Sequence, residues 1–221
     1  MDLTAALTTP ALCVAGGAVA CVALACAVLR APWWWLRQPG SVHVLCGAVV
    51  ILLGLWQLRA GIGSGPWLHL LGATALTLMF SWQLALIGCA VLVLVGAATS
   101  HGDFASAGLN FTLAGLLPVA FSYAFARLVE RWLAPNFFVY IFVTAFLGAA
   151  LAAGLVVLAT GLVALVGAAV TAEHIVANYM PSGILLLFPE AFATGGCMTL
   201  AVVYRPAWVV SFDDRRYLHG R

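Results

Sequence analysis

Seven long apolar runs dominate the sequence and restrict the chain to a lipid environment. A run of about 20 apolar residues is the length of one transmembrane helix. Only 7% of the 221 residues are charged, against about 25% in soluble domains, which excludes a soluble enzyme, a disordered chain and a nucleic-acid-binding protein. We therefore predict an all-α polytopic protein of the lipid bilayer, with about seven transmembrane helices. The runs cover approximately residues 7–30, 40–58, 67–81, 83–99, 106–128, 137–168 and 180–204.

The first run is interpreted as a retained helix and not as a cleaved signal peptide. Asp2 stands where a signal peptide carries basic residues, and the apolar stretch from about Leu7 to Leu29 is longer than a signal's hydrophobic region. The sixth run is too long for one straight span, so we expect a helix that is tilted, broken or extended beyond the bilayer. Gly195-Gly196 is expected to let helices approach closely.

The arginines determine the predicted number of spans and their orientation. With seven spans and the N-terminus outside, eight of the nine arginines face the cytoplasm, and only Arg59 lies outside. Merging the third and fourth runs into one span would place the arginines after the first run and those after the fifth run on opposite sides of the membrane. That arrangement disagrees with the positive-inside rule. We therefore predict a tight break at 81–83. Residues 1–204 form a single predicted transmembrane domain, and residues 205–221 form a hydrophilic cytoplasmic tail.

Polar side chains at membrane depth are costly and mark candidate functional positions. Glu190 follows Pro189 inside the last run; it either faces a cavity or metal, or fixes helix packing as a protonated or arginine-paired side chain. His101 and Asp103 lie in a turn-like stretch, where they either share a metal or form a wet loop, and Asn110 lies in the next run. These four residues make up a possible secondary polar site.

His69 opens the third run, where it is either a metal ligand or a solvated cap, since imidazole binds nickel, cobalt, copper and zinc well. Glu173-His174 precedes the last run and is expected in a loop. The sequence has no nucleotide-binding, nucleophile-elbow, zinc-protease or haem-attachment motif. Energy for uphill transport would therefore have to come from another chain or from an ion gradient.

Three short segments, in order, carry a family resemblance. They are His69-Leu70-Leu71-Gly72 with the apolar run that follows, residues 100–103 continuing to Ala107-Gly108-Leu109-Asn110, and Phe188-Pro189-Glu190-Ala191. With these three segments in this order, the chain resembles the CbiM/NikM family from about residue 65 to residue 204. Its members are the membrane substrate-binding components of energy-coupling-factor transporters for cobalt and nickel.

The resemblance implies a square-planar metal site at the outer face, closed by the amino end of the chain folding back against His69. The ligands would be the amine of Met1, the amide and side chain of residue 2, and His69. The family has histidine at residue 2, whereas this chain has Asp2. A carboxylate in place of an imidazole leaves three nitrogens and one oxygen, which lowers the expected affinity for Ni²⁺ or Co²⁺. An acidic residue of the family's sixth span is also missing at 147–150.

The function that the resemblance implies is that of a substrate-specificity subunit of an energy-coupling-factor type importer in the bacterial inner membrane. Its substrate would be a divalent transition metal such as Co²⁺ or Ni²⁺, with no tightly bound cofactor and no enzymatic activity. A coupling transmembrane subunit and cytoplasmic ATPase subunits would be its partners. The alternative is an accessory or structural subunit of a larger complex that has kept the fold and lost metal binding. A third possibility is a membrane-embedded metal hydrolase that uses Glu190 with His69 or His101.

Overall fold

Helices make up most of the chain, as the apolar composition predicts. The structure is a computed structural model that describes residues 2–61, 65–99, 103–168, 170–213 and 217. Each predicted apolar run contains one main helix, which confirms the all-α fold class. These helices are α1 (Pro10–Arg30), α2 (Ser41–Gln57), α3 (Ala73–Phe80), α4 (Trp82–Thr99), α5 (Ala107–Trp132), α6 (Val139–Val166) and α7 (Ala172–Tyr204).

Five of the helices, α1 and α4 to α7, are long and apolar enough to cross a membrane. Helix α2 has 17 residues, and α3 has only eight, which gives α3 a length of about 12 Å against a hydrocarbon core of about 30 Å. Only the second half of the third apolar run is therefore helical. Its first residues, Trp67–Leu68, form strand β2, which pairs antiparallel with β1 (Ala60–Gly61). The number of spans and their orientation stay predictions.

The predicted break between the third and fourth runs is confirmed at Ser81. Helix α3 ends at Phe80 and α4 begins at Trp82, so a single residue joins the two helices without a loop. Ser81 has φ 86° and ψ 158°, a conformation that is strained for any residue with a Cβ atom. The amide of Ser81 still donates to Thr77 in α3, and its carbonyl accepts from Ala85 in α4.

Helix α6 lies within its predicted run, whereas α7 begins eight residues before the run that predicted it. Helix α6 is continuous over 28 residues, so the sixth run is not broken, and its first nine residues are π-helical. Glu173 and His174 lie in the first turn of α7, so the expectation of a loop there is wrong. The side chain of Thr171 caps this turn, because its Oγ1 accepts a hydrogen bond of 3.2 Å from the His174 amide.

Helix α3 lies at the centre of the bundle, where α4, α5, α6 and α7 surround it. Almost every side chain on it is buried. The last carbonyls of α3, those of Leu78 and Met79, accept hydrogen bonds from the backbone amides of Ser211 (3.2 Å) and Val210 (3.0 Å). The start of the predicted hydrophilic tail therefore packs onto the bundle, and the ring of buried Phe212 makes an edge-to-face contact with Tyr140. Most of the remaining tail lies outside the described residues.

Small residues set the closest helix contacts, as the sequence predicts for Gly195. A Cβ atom at Gly195 in α7 would collide with the ring of Phe146 in α6, whereas Gly196 faces open space. Helix α1 contacts the start of α5 in the same way, because a Cβ atom at Gly108 would lie 2.5 Å from the Cα atom of Gly17. This second contact holds the beginning of α5 beside the amino-terminal helix.

We predict that Ser81→Gly stabilises the protein. Glycine adopts the observed dihedral angles without strain, which relieves about 1–3 kcal/mol, while its greater freedom in the unfolded chain offsets about 0.5–1 kcal/mol. We expect a net gain of about 1 kcal/mol, measured as a higher Tm by tryptophan fluorescence in detergent. Ser81→Val serves as the opposite control and should lower the Tm. A glycine variant that melts below the wild type would contradict the assigned strain.

Candidate metal centre

The amino-terminal segment is tied to the end of the bundle where α2 ends and α5 begins. Asp2 and Trp67 exchange two backbone hydrogen bonds of 3.0 Å, so Asp2 forms an isolated antiparallel bridge to strand β2. The side chain of Asn110 accepts from the amide of Leu3 and donates to its carbonyl, both at 2.9 Å. Further along, the Asp103 carboxylate accepts from the Ala5 amide at 2.7 Å. Four successive residues of the segment thus carry three separate anchors.

These anchors bring Asp2 beside His69. Asp2 and His69 are the two residues of the predicted metal site that the structure describes. Oδ1 of Asp2 lies 3.4 Å from Nε2 of His69, and its Oδ2 lies 3.1 Å from Nη1 of Arg59. Burial by itself would raise the pKa of this carboxyl, but the amino-terminal charge one residue away, the His69 contact and the Arg59 guanidinium together hold the pKa of Asp2 below its usual range. The carboxylate is therefore ionised. Met1, the third predicted ligand, lies outside the described residues.

The surroundings of His69 define which ring nitrogen can bind a cation. Nδ1 lies 2.9 Å from the carbonyl oxygen of Leu70, and Nε2 lies 3.4 Å from Oδ1 of Asp2. Since both oxygens only accept, a neutral ring can donate to one of them at a time. Burial, reinforced by the amino-terminal charge, lowers the pKa of His69 although Asp2 opposes the shift. When Nδ1 donates to Leu70, the lone pair of Nε2 points at the Asp2 carboxylate and is available to a cation. This is the usual arrangement of a metal-binding histidine, whose second nitrogen donates to a backbone carbonyl.

The separation of the two donors limits the coordination geometry. Two ligands that each lie about 2.0–2.1 Å from a metal and 3.4 Å apart subtend an angle of about 112°. Adjacent ligands of a square-planar ion would lie about 2.9 Å apart at the same bond lengths. In addition, the Asp2 amide donates to Trp67, so this nitrogen could coordinate an ion only after the bridge breaks. Among the residues that the structure describes, no group of three or more His, Cys, Asp or Glu side chains could hold a metal.

Trp56 closes the inner side of the site. Its ring lies 4.3 Å from the His69 ring between centroids, and its Nε1 donates to the Leu71 carbonyl at 3.1 Å. Both rings are 1% exposed. The indole therefore fixes the plane of the imidazole and shields it from solvent, so that only Nε2 is presented toward Asp2.

Glu190 has a role that neither sequence interpretation describes fully. Its carboxylate accepts hydrogen bonds from the amides of Leu71 (2.7 Å) and Gly72 (2.8 Å) at the start of α3. The side chain is 2% exposed and fixes the loop that carries His69. Glu190 is thus a positioning residue for the loop that carries His69, a candidate ligand.

The possible secondary polar site is not one cluster in the structure. Asp103 and Asn110 line a cavity of about 320 Å³ beside Asp2, whereas Glu190 lines a different groove between α2 and α7. His101 lies outside the described residues. The polar residues that border the small cavity come from several parts of the chain and are Asp2, Thr4, Gln57, Arg59, Thr99, Asp103, Ser106 and Asn110.

Sequence reasoning missed Arg59 and Trp56 as parts of this site. The one signal for Arg59 was its position as the single arginine on the outer side in the orientation count. Trp56 lies 13 residues before His69 and carried no motif. Both residues reach the site because α2 ends beside the β1–β2 hairpin, a contact that spacing in the sequence does not reveal.

Comparison with known proteins identifies the family. The family model for CbiM, described as a cobalt uptake substrate-specific transmembrane region, matches residues 3–208. The chain belongs to the CbiM family. It is a multi-pass membrane component of metal transport, and the metal ion is the transported substrate of this family and not a resident cofactor. The resemblance inferred from the three short segments is therefore confirmed.

Two solved structures share the fold of this CbiM-family protein. A crystal structure of a truncated transition metal transporter superposes with a TM-score of 0.78 at 17% identity, covering 92% of this chain and 99% of the other. A second transition metal transporter gives a TM-score of 0.75 at 18% identity, with 90% and 91% covered. Among curated proteins, no sequence matches this chain.

We predict that Asn110→Ala loosens the amino-terminal segment while the helical bundle stays folded. The change removes two hydrogen bonds to Leu3, each worth about 1 kcal/mol. Amide hydrogen exchange in the amino-terminal peptide, measured by mass spectrometry, should become at least about tenfold faster. Asn178→Ala, which removes an amide side chain on α7, is the matched control. Equal exchange in the wild type and Asn110→Ala would show that Asn110 does not hold the segment.

Proposed function

We propose that this CbiM-family protein is the substrate-specificity subunit of an energy-coupling-factor type importer for a divalent transition metal such as Co²⁺ or Ni²⁺. The observation that carries the proposal is the arrangement of two electron-pair donors, Asp2 Oδ1 and His69 Nε2, which face each other across 3.4 Å. A cation between them would neutralise the carboxylate and accept both lone pairs. The family match and the likeness to transition metal transporters support the same conclusion.

The proposed ligands are the Asp2 carboxylate, Nε2 of His69 and the amine of Met1, with the Asp2 amide joining only if its bond to Trp67 breaks. This set contains fewer strong-field nitrogens than a site with histidine at residue 2. The donor angle of about 112° also lies nearer to tetrahedral than to square-planar geometry. We therefore expect a smaller preference for Ni²⁺ over Co²⁺ than the Irving–Williams order gives.

The small cavity beside Asp2 is the proposed waiting position for the arriving ion. Its volume of about 320 Å³ exceeds the roughly 180 Å³ taken up by six waters around an ion at about 30 Å³ each. Asp103 adds a second carboxylate to the cavity wall. The ion would exchange its waters for Asp2 and His69 after it has entered.

Coupling to ATP hydrolysis requires other chains in this proposal. The sequence has no phosphate-binding motif, so cytoplasmic ATPase subunits and a coupling transmembrane subunit would drive the release of the ion. Release requires the Asp2–His69 pair to separate. Because His69 lies on a loop fixed by Glu190, the amino-terminal segment is the part that we expect to move.

One contact favours the alternative of an accessory subunit that has lost metal binding. Arg59 already supplies a positive charge to the Asp2 carboxylate at 3.1 Å. An internal cation at this position opposes the approach of a second one, since like charges repel strongly where burial limits screening. Metal titration distinguishes the two functions.

The proposal is tested by isothermal titration of the purified protein with Co²⁺, Ni²⁺, Cu²⁺ and Zn²⁺. We expect one ion per chain, and His69→Ala should weaken binding by at least about tenfold because a ligand is lost. His43→Ala, at the other end of α2, is the control and should bind as the wild type does. If the wild type binds none of the four ions and His69→Ala leaves cellular uptake unchanged, the accessory function replaces the proposed one.

Asp2→His is expected to shift the site toward Ni²⁺. An imidazole at residue 2 gives the nitrogen-rich ligand set that the family resemblance implies, which favours Ni²⁺ over Co²⁺. We expect the ratio of the Ni²⁺ to Co²⁺ association constants to rise by about tenfold, measured by competitive titration. Asp2→Asn, which removes the charge without adding an imidazole, should weaken binding of both ions. An unchanged ratio in Asp2→His would mean that residue 2 does not coordinate.

A further inference from the structure

A large apolar groove runs along the membrane-facing surface between α2 and α7. Helix α2 packs against α4, and α7 packs against α6, so the two helices leave a gap that α3 closes from below with Ala75, Leu76 and Met79. The groove has a volume of about 930 Å³. It is separate from the small cavity beside Asp2, since the two share no lining residue.

The walls of the groove are made of small and aliphatic side chains. Gly47 and Ala48 line it from α2, and Ala193 and Ala201 line it from α7. These residues lie within apolar helices, so in a bilayer the groove opens toward acyl chains. Most of the lining is apolar, and the polar residues along the α7 wall are Glu190, Thr194 and Cys197.

Charge is concentrated at one end of the groove. Arg205 follows the last residue of α7 and lies 5.9 Å from the ring centre of Trp208, and His43 lines the same end from α2. All three side chains are exposed. Arginine with tryptophan is typical of the membrane interface, and guanidinium matches the geometry of phosphate. Deeper in the groove, the Glu190 carboxyl group accepts hydrogen bonds from the amides of Leu71 and Gly72.

The length of the groove is close to the depth of one leaflet. From His43 to Leu55, two lining residues of α2, the rise is about 18 Å, close to the roughly 15 Å depth of one leaflet. An acyl chain of one leaflet therefore matches the groove in length.

We propose that this groove binds one anionic phospholipid, with an acyl chain between α2 and α7 and the headgroup phosphate at Arg205. The charge complementarity at the Arg205 end favours an anionic over a zwitterionic headgroup. The lipid contacts the back of α3 and Glu190, so it fills the space behind the loop that carries His69. This binding site does not depend on whether the protein transports a metal.

The test is native mass spectrometry of the delipidated full chain, titrated with palmitoyl-oleoyl phosphatidylglycerol or with phosphatidylcholine of the same chains. We expect one tightly bound phosphatidylglycerol. Arg205→Gln should weaken this binding by about fivefold, the effect of one arginine at an anionic membrane surface. Arg131→Gln, which removes an exposed arginine near the end of α5 outside the groove, is the matched control and should change nothing.

A second variant tests the groove independently of the headgroup. Ala193→Phe fills the groove with an aromatic ring and should remove the bound lipid while the Tm stays within a few degrees of the wild type. A phosphatidylglycerol with a photoreactive acyl chain should label groove residues in the wild type and not in this variant. Equal binding of both lipids, equal losses in Arg205→Gln and Arg131→Gln, or unchanged labelling in Ala193→Phe would overturn the proposal.

Discussion

The two hydrogen bonds from the Leu71 and Gly72 amides to Glu190 are the interaction on which the candidate site depends. Helix α3 is too short to reach both membrane faces, so its ends lie inside the protein, where water cannot satisfy the backbone. The Glu190 carboxylate pairs the first amides of this region, and residues 210–211 pair the last carbonyls. Because these pairs are costly to break in a dry interior, the loop that presents His69 is held rigidly.

The candidate metal site combines this fixed part with a separable one. His69 is held by Leu70, Trp56 and, through its loop, Glu190. Asp2 belongs to a segment that is joined to the bundle mainly through hydrogen bonds at Trp67, Asn110 and Asp103. A site that divides its ligands between a rigid loop and a detachable segment can bind an ion tightly and still open. This division is what the proposed transport cycle requires.

The sequence predicted the apolar runs, the break at Ser81 and, through the family resemblance, the approach of the amino end to His69. It did not predict that the third run begins as a strand, because Trp67 and Leu68 are as apolar as helical residues and only their pairing partners, Asp2 and Ala60, reveal the strand. It also placed Glu190 with Asp103 and Asn110. Those residues share polarity at membrane depth, and sequence alone could not show that they line different cavities.

Composition and periodicity by themselves determined that this chain forms apolar helices in a bilayer, because so few charges cannot cover a water-facing surface. Only the tertiary structure decided that Arg59 pairs with Asp2 and that Nδ1 of His69 is turned toward Leu70. These contacts join residues more than 50 positions apart or depend on ring orientation. They follow from how α2, the β1–β2 hairpin and α5 meet at one end of the bundle, and helix packing sets that geometry after each helix has satisfied its own backbone.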